Sequence, residues 1–262
     1  MSDVAAGSLF DVAGKAVLIT GGSSGLGLMM AEGFLQAGAR VTIAGRRQQA
    51  LDAARGALAR HGELRTIACD LGSGAGVDRL AAVYGEHEPA LHVLVNNAGH
   101  AIAAPFADYA ESAWIETLAL NLQAPFLLTR RLLPLLERTA SPDDPARVIN
   151  IGSIAGWMTS NTDTFAYNPS KAALHQLTRG LARELAPRHI LVNAIAPGYF
   201  PSSMTEPYLA DDDYRRKVVR GIPLKRIGSP PDIAGLAVFL SARASAYMTG
   251  TVIPLDGGSS AI

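Results

Sequence analysis

KAVLITGGSSGLGLMMAEGFLQAG, residues 15–38, passes from an apolar run through a glycine cluster into an apolar pattern of helical spacing. Residues 15–20 read as a buried strand, because a short, nearly continuous apolar run suits a strand covered on both faces. Residues 26–38 read as a helix closed by Gly38, since glycine readily takes the left-handed turn that ends helices. Between them, TGGSSGLG (20–27) places Gly21, Gly25 and Gly27 in G-x-x-x-G-x-G spacing. Strand, glycine turn and helix in that order open a βαβ unit. There the glycines let backbone approach a pyrophosphate, and the helix N-terminus faces its negative charge. Many turns are glycine-rich; the position directly after the first strand makes this one a dinucleotide site rather than a structural turn. Ser23, Ser24 and Leu26 share the loop and are candidate contacts.

The same alternation continues outward. Further strands are expected at 39–45, 63–70, 91–99, 147–153, 189–198 and 251–258. Helical patterns occupy 46–60, 75–86, 111–138, 168–187 and 229–242. Apolar strands alternating with helices mean an α/β fold with a parallel sheet covered on both faces. No internal repeat or low-complexity linker divides the chain, so residues 1–262 read as a single domain. Residues 199–228, rich in Pro, Ser, Asp, Tyr and Arg, interrupt the alternation after the sixth strand. Insertions at the carboxyl ends of parallel strands are where ligands bind, so this stretch reads as a substrate lid.

Bulk properties narrow the class. Formal net charge is zero over 262 residues, which offers no electrostatic basis for a nucleic-acid partner. The start, MSDVAAGSLFDVAGK, lacks the basic end and long apolar run of a secretory signal. No apolar stretch reaches the length of a membrane span. One cysteine, Cys69, excludes an intramolecular disulfide and suits a reducing compartment. A cytoplasmic protein is expected.

Two further stretches carry chemistry. The second strand ends in Ala44, Gly45, Arg46 and Arg47. An NAD site usually places an acid here to hold the ribose 2′-hydroxyl, whereas arginine pairs with a 2′-phosphate. NADP(H) is therefore expected ahead of NAD(H); the plainer reading is that both arginines merely solvate a helix start. In YNPSK (167–171), Tyr167 and Lys171 stand four apart, about one helical turn, and so share a face. Proline in a first turn does no harm, because its missing N–H would be unpaired there anyway.

Together these pieces resemble the single-domain short-chain dehydrogenase/reductase family. The markers run in family order: TGGSSGLG (20–27), Asp70, NNAG (96–99), Asn121, Ser153, YNPSK (167–171) and APG (196–198). Any one is weak, but the ordered set is specific and spans about residues 10–258. The resemblance implies a Rossmann-type, doubly wound, seven-stranded parallel sheet. It also implies an NAD(P)(H)-dependent reaction between carbonyl and alcohol, and a homodimer or homotetramer built through the helices at 111–138 and 168–187. PARVINIGSIAG, SKAALHQLTRGLARELA, APGYFPSSMT and AYMTGTVIPLDGG look most like NADPH-dependent 3-oxoacyl reductases.

The resemblance assigns roles residue by residue. Tyr167 is the acid/base, and a cationic Lys171 beside it, with an oxidised nicotinamide close by, is expected to lower its pKa. Ser153 hydrogen-bonds the substrate oxygen as charge develops. Asn121 holds a water that links Lys171 to solvent, and Lys171 also bonds the nicotinamide ribose. Asp70 reads the adenine amine with Leu71 beside it; Asn97, Ala98 and Gly99 line the adenosine path. Pro197 and Gly198 shape the nicotinamide pocket. Ser202 stands where the family usually has a threonine against the carboxamide.

The chain also departs from the pattern. Ser153 and Tyr167 are fourteen apart, one more than in most members, so the loop 157–165 carries an extra residue beside the pocket. Ser23 and Ser24 replace a basic residue that some NADP-preferring members carry. Trp157, Met158, Phe165, Phe200, Met204, Tyr208 and Leu209 flank the pocket and argue for a substrate with apolar surface, though some belong to core. Arg215, Arg216, Lys217, Arg220, Lys225 and Arg226 make the lid basic. That is a solvated helix face or, more sharply, a surface for an anionic acyl carrier thioester. Asp211–Asp213 read as a solvated run or helix cap. The six histidines show no metal spacing, and no metal is expected. The leading function is an NADP(H)-dependent ketone/secondary-alcohol oxidoreductase. The alternatives are an alcohol or hydroxysteroid dehydrogenase using NAD(P)+, or a non-catalytic NADP-binding sensor, which would have no need of Ser153, Tyr167 and Lys171 together.

Overall fold

The computed structural model describes residues 6–159, 163–202, 205–206 and 210–261. Among them, seven strands form one parallel sheet in the order β3-β2-β1-β4-β5-β6-β7. They are β1 (Ala16–Thr20), β2 (Arg40–Gly45), β3 (Leu64–Ala68), β4 (Val93–Asn96), β5 (Ala146–Ile151), β6 (Ile190–Pro197) and β7 (Val252–Leu255). Every expected strand is present, most of them shorter by a few residues, and β5 begins one residue earlier than expected. Strand β1 pairs with β2 from Ala16–Arg40 to Thr20–Ala44, and on its other side Val17 stands opposite Val93 of β4. The chain thus winds outward through β2 and β3, then returns to the far side of β1. The carboxyl ends of β1 and β4 face this switch point, where doubly wound sheets hold ligands.

Helices cover both faces. After a short turn α1 (Ala6–Leu9), α2 (Gly25–Gln36), α3 (Gln48–Leu58) and α9 (Pro230–Ser241) lie on one face. Val17, Ile19, Met30, Phe34, Ile43, Leu51 and Ile233 form its core. Gly33 lets α2 meet α9 closely: a Cβ there would stand 2.5 Å from the Ala234 Cβ. The other face carries α4 (Gly74–His87), α6 (Ala124–Glu137) and α7 (Tyr167–Leu185), with Leu18, Leu80, Leu94, Leu128 and Leu185 in its core. Adjacent strand residues 17, 18 and 19 divide between these cores, as the period-two alternation of a strand requires.

Two helical expectations need refinement. The pattern at 111–138 is not one uninterrupted α-helix. It runs as α5 (Glu111–Leu118), a π turn over Ala119–Gln123, and α6. A π turn takes one extra residue into the coil, which re-aims the side chains it carries, and such turns frequently mark functional sites. The stretch 199–228 is not wholly irregular, since α8 (Asp212–Gly221) lies within it. Asp211 caps α8 by accepting the Tyr214 amide at 2.8 Å, as the acidic run suggested.

Candidate active site

The glycine loop follows β1 and is gripped from β4. Thr20 Oγ1 accepts the amides of Asn97 and Ala98, both at 2.9 Å. Asn97 Nδ2 donates back to the Thr20 carbonyl at 2.9 Å and the Gly21 carbonyl at 3.1 Å. The Asn97 side chain therefore fastens the loop, while Asn96 turns inward and donates to Asn150 Oδ1 at 2.9 Å. Thr20 opens the TGGSSGLG motif, but only the geometry reveals what its hydroxyl does. Gly21 and Gly25 have φ of 64° and 52°, which side chains other than glycine rarely adopt. A Cβ at Gly27 would lie 2.3 Å from the Gly21 carbonyl oxygen. The cradle is thus closed to any larger residue.

The loop suits a pyrophosphate. Ser24 stands at the N-cap of α2 but makes no side-chain capping bond, which leaves that helix end to an outside anion. Ser23 Oγ lies over Gly45, 3.4 Å from where a Cβ would be. Arg46 and Arg47 follow on the surface, and among the described residues neither makes an ion pair. Ser202 reaches the loop from the far side, its Cβ 3.1 Å from an imagined Cβ on Gly25. Gly198 packs on Asp256, where a side chain would collide at 2.8 Å, and follows Pro197 at the end of β6. Asp70 is exposed just beyond β3, with Oδ1 accepting the Gly72 amide at 3.0 Å, and Leu71 beside it is buried. The groups expected to hold a dinucleotide thus line the carboxyl ends of β1, β2, β3, β4 and β6.

The reactive cluster lies where β5 ends and α7 begins. Tyr167 opens α7, Pro169 falls in its first turn, and Lys171 follows one turn later. Ser153 caps a short 3-10 turn, with Oγ accepting the Ala155 amide at 3.1 Å. The Ser153 hydroxyl and the Tyr167 phenol are hydrogen-bonded to one another, so the fourteen-residue spacing still lets them converge. Lys171 Nζ donates to the Ile151 carbonyl at 2.7 Å and lies 5.6 Å from the Tyr167 ring centroid.

Asn121, carried on the π turn, is 1% exposed. Its Nδ2 donates to the His100 carbonyl at 2.9 Å and to Ser170 Oγ at 3.0 Å, while Oδ1 accepts the His100 amide at 3.0 Å. The carboxamide thus has no spare N–H, and it locks the NNAG turn to α7. Gly99 separates Asn121 from Lys171: a Cβ there would be 3.0 Å from Asn121 Oδ1 and 3.6 Å from Lys171 Nζ.

Burial dominates the electrostatics of the chain by itself. Burial pushes the Tyr167 phenol up, and the Ser153 hydrogen bond works against that rise. The phenol is raised, not lowered, in the chain by itself, because desolvation of a phenolate outweighs the single hydrogen bond that favours it. Burial also pushes the Lys171 ammonium down, to about 8.

Among the neighbours, Tyr109, Phe106 and His100 carry no sequence signature, whereas Phe165 and Trp157 were expected beside the pocket. Tyr109 donates its hydroxyl to the Ile102 carbonyl at 3.1 Å and accepts the Ala166 amide at 3.3 Å, immediately before Tyr167. Phe165 meets Tyr109 and Phe106 edge-on, with centroids 5.5 and 5.4 Å away. Phe106 is 81% exposed and Trp157 is 44% exposed. His100, directly behind NNAG, has a buried Nε2 without a partner among the described residues, and burial and the Arg46 charge hold its ring below the usual histidine range. Phe200, by contrast, is core: it is 3% exposed and fills the space left by Gly228. Met204, Tyr208 and Leu209 lie outside the described residues.

Comparison with known proteins gives a consistent picture. The sequence model of a family described as enoyl-(acyl carrier protein) reductase matches residues 21–260. A rhamnolipids biosynthesis 3-oxoacyl-[acyl-carrier-protein] reductase from Pseudomonas aeruginosa is 48% identical over 249 residues, 95% of this chain and 97% of the relative. A gluconate 5-dehydrogenase from Gluconobacter oxydans is 31% identical, covering 95% of this chain and 96% of that one. Among solved structures, the Pseudomonas aeruginosa RhlG/NADP active-site complex superposes with a TM-score of 0.94 at 47% identity, over 97% of this chain and 99% of the other.

Proposed function

The chain belongs to the short-chain dehydrogenase/reductase family, and from that premise we propose that it is an NADPH-linked reductase of 3-oxoacyl thioesters. The observation that carries this reading is the hydrogen-bonded pair of Ser153 and Tyr167, with buried Lys171 one turn further along α7. When bound, the reduced nicotinamide supplies a hydride to the carbonyl carbon. Tyr167 then gives its phenolic proton to the carbonyl oxygen. Burial keeps that phenol protonated, which is the form a proton donor needs. Ser153 donates to the same oxygen, where negative charge builds. Lys171 keeps a cation behind the phenol and in this reading bonds the nicotinamide ribose, while Asn121 holds the turn that carries Gly99 against it. Run in reverse, the same phenol must first lose its proton.

NADP is favoured by the positive end of β2, where Arg46, Arg47 and Ser23 offer donors to a 2′-phosphate and no acid opposes them. The relative solved as an NADP complex agrees with this assignment. Ser24, Gly25, Leu26 and Gly27 take the pyrophosphate, Asp70 and Leu71 the adenine, Asn97 and Ala98 the ribose path, and Pro197, Gly198 and Ser202 the nicotinamide.

The substrate class follows from the rim around Tyr167. Phe106, Phe165 and Trp157 offer rings to solvent beside the catalytic pair. A polyol such as gluconate would leave those rings wet, whereas an acyl chain covers them. The carrier end has a counterpart in α8, whose Arg215, Lys217 and Arg220 stay exposed, while the exposed Arg216 is paired with Asp213. Lys225 and Arg226 are already engaged, with the Arg220 carbonyl and with Asp232. We read the chain as one domain with a lid at about 199–228. Trp114, Ile115 and Phe126 expose apolar surface along the helices at 111–137, which a second copy would cover in a homodimer or homotetramer. No helix of the described residues is long and apolar enough to cross a membrane.

The test follows NADPH consumption with 3-oxoacyl thioesters of increasing chain length, beside cyclic and aryl ketones and 5-ketogluconate. Turnover that rises with chain length is expected. Turnover confined to the ketones or to the sugar acid overturns the thioester assignment. Charge reversal at Arg215 and Arg216 should raise KM for carrier-linked substrate and leave a short free thioester unaffected; equal kinetics on both would remove the carrier surface.

A further inference from the structure

Tyr167, Lys171 and His175 stand at i, i+4 and i+8 of α7, so one helix face carries all three. Each meets the segment leaving β5. Tyr167 bonds Ser153, Lys171 donates to the Ile151 carbonyl at 2.7 Å, and His175 Nε2 lies 3.5 Å from the Ser153 amide nitrogen. That last contact is at the long end of hydrogen bonding, so the packing around it matters more than the bond.

The packing is close. His175 is 3% exposed. A Cβ on Gly152 would fall 2.3 Å from its Nε2, and one on Gly156 would fall 2.4 Å from its Cε1. The Trp157 ring closes the outer side, with centroids 4.8 Å apart. Two absent side chains therefore make a slot on both sides of Ser153, and the imidazole fills it. We infer that His175 is a positioning residue, whose ring fixes the Ser153 backbone and thereby aims the Ser153 hydroxyl at the Tyr167 phenol. The inference rests on the reading of Ser153 and Tyr167 as the groups that meet the substrate oxygen.

The ring's charge state agrees. To accept the Ser153 amide, Nε2 must present its lone pair, which places the proton on Nδ1. Burial pushes the ring down to about 4, and Lys171 and Arg179 on the same helix add to the effect, so the ring stays neutral in ordinary buffers.

The experiment reads the phenol. In the alcohol-oxidising direction, activity rises as Tyr167 loses its proton, and the Ser153 hydrogen bond lowers the pH at which it does so. The groups facing that phenol are Ser153 from the end of β5, Lys171 from its own helix, and Tyr109, whose hydroxyl holds the adjacent Ala166 amide. His175→Leu removes the ring. His175→Asn is a milder change that keeps polarity, but its shorter side chain cannot reach the Ser153 amide. Both are expected to lower kcat by about tenfold or more, to move the rising limb to higher pH, and to leave NADPH affinity unchanged. In a Ser153→Ala background the same changes should cost less than about threefold further, because the hydroxyl they position is gone. A merely structural role would reduce activity at every pH without moving the limb. An unmoved limb in His175→Asn, or equal losses in both backgrounds, overturns the inference. A fully active Ser153→Ala instead removes the reading beneath it, and the inference with it.

Discussion

Lys171 holds its ammonium 5.6 Å from the centre of the Tyr167 ring and gives its hydrogen bond to the Ile151 carbonyl, not to the phenol. The phenol's own partner is the Ser153 hydroxyl. The lysine therefore acts on the tyrosine only through space, and the serine touches it. Removing either should leave different traces.

Tyr167→Phe keeps the ring and deletes the transferable proton. Turnover is expected to fall by roughly a hundred- to ten-thousand-fold, the range for losing a general acid. NADPH binding, followed by fluorescence titration, should change little. Unaltered turnover would sink the assignment.

Ser153→Ala removes the one hydrogen bond that favours the phenolate. The rate should fall by about a hundred- to a thousand-fold, as for loss of a donor to a developing oxyanion. The sign of the pH effect follows from the pair. Burial raises the phenol and Ser153 lowers it, so without the serine the phenol rises further. The rising limb of alcohol oxidation and the falling limb of ketone reduction should both move to higher pH. Rate profiles from pH 6 to 10 decide the point.

Buried Lys171 costs the free protein stability at neutral pH. Its pKa is lowered by burial to about 8 from 10.5. Between those values the unfolded chain binds more protons than the folded one, so stability rises with pH across the window. The penalty is complete below about 8. Lys171→Met should therefore unfold no more readily than wild type at pH 7, despite losing the bond to Ile151. Its advantage should shrink toward pH 9.5. Tyr167 and Tyr84, both raised by burial, act in the opposite sense only above about 10, their ordinary value. Urea denaturation at several pH values checks the trend.

Arg46→Ala removes a charged donor from the end of β2. A charge-assisted hydrogen bond contributes about 1.5–3 kcal/mol, so NADPH affinity should weaken by roughly ten- to a hundred-fold. NADH affinity should hold. Paired titrations of the two cofactors measure the ratio, and equal weakening of both would argue against a 2′-phosphate contact.

Gly27→Ala should abolish cofactor binding, because its methyl would stand 2.3 Å from the Gly21 carbonyl and spread the loop. Gly56→Ala is the control. Position 56 lies inside α3 with nothing within 4 Å of a new Cβ, so alanine should stabilise by about 0.5–1 kcal/mol. Thermal denaturation and NADPH titration of both variants test the contrast.

Much of this architecture was legible in local pattern. Each strand is a short apolar run, and each long helix has apolar residues at helical spacing. Both periods are properties of neighbouring residues, and neighbouring residues are what a sequence lists. The glycine loop after β1, the one-turn spacing of Tyr167 and Lys171 and the Asp211 cap are local in the same sense.

What only the tertiary structure decided depends on residues far apart in the chain. Thr20 grips Asn97 and Ala98 because β1 and β4 lie side by side, and nothing near position 20 announces that neighbour. The π turn re-aims Asn121 toward His100 and Ser170, although the pattern at 111–138 reads as plain helix. The direction of the Tyr167 shift was also beyond the sequence. In the chain by itself burial raises the phenol, and burial depends on everything packed around it. His175 is the clearest case. By spacing it is one of six scattered histidines, and only the meeting of α7 with the end of β5 puts its ring between Gly152 and Gly156. Periodicity and turn chemistry act over a few residues, so the local order of residues exposes them. Burial and long-range contact arise only once the sheet order brings distant segments together.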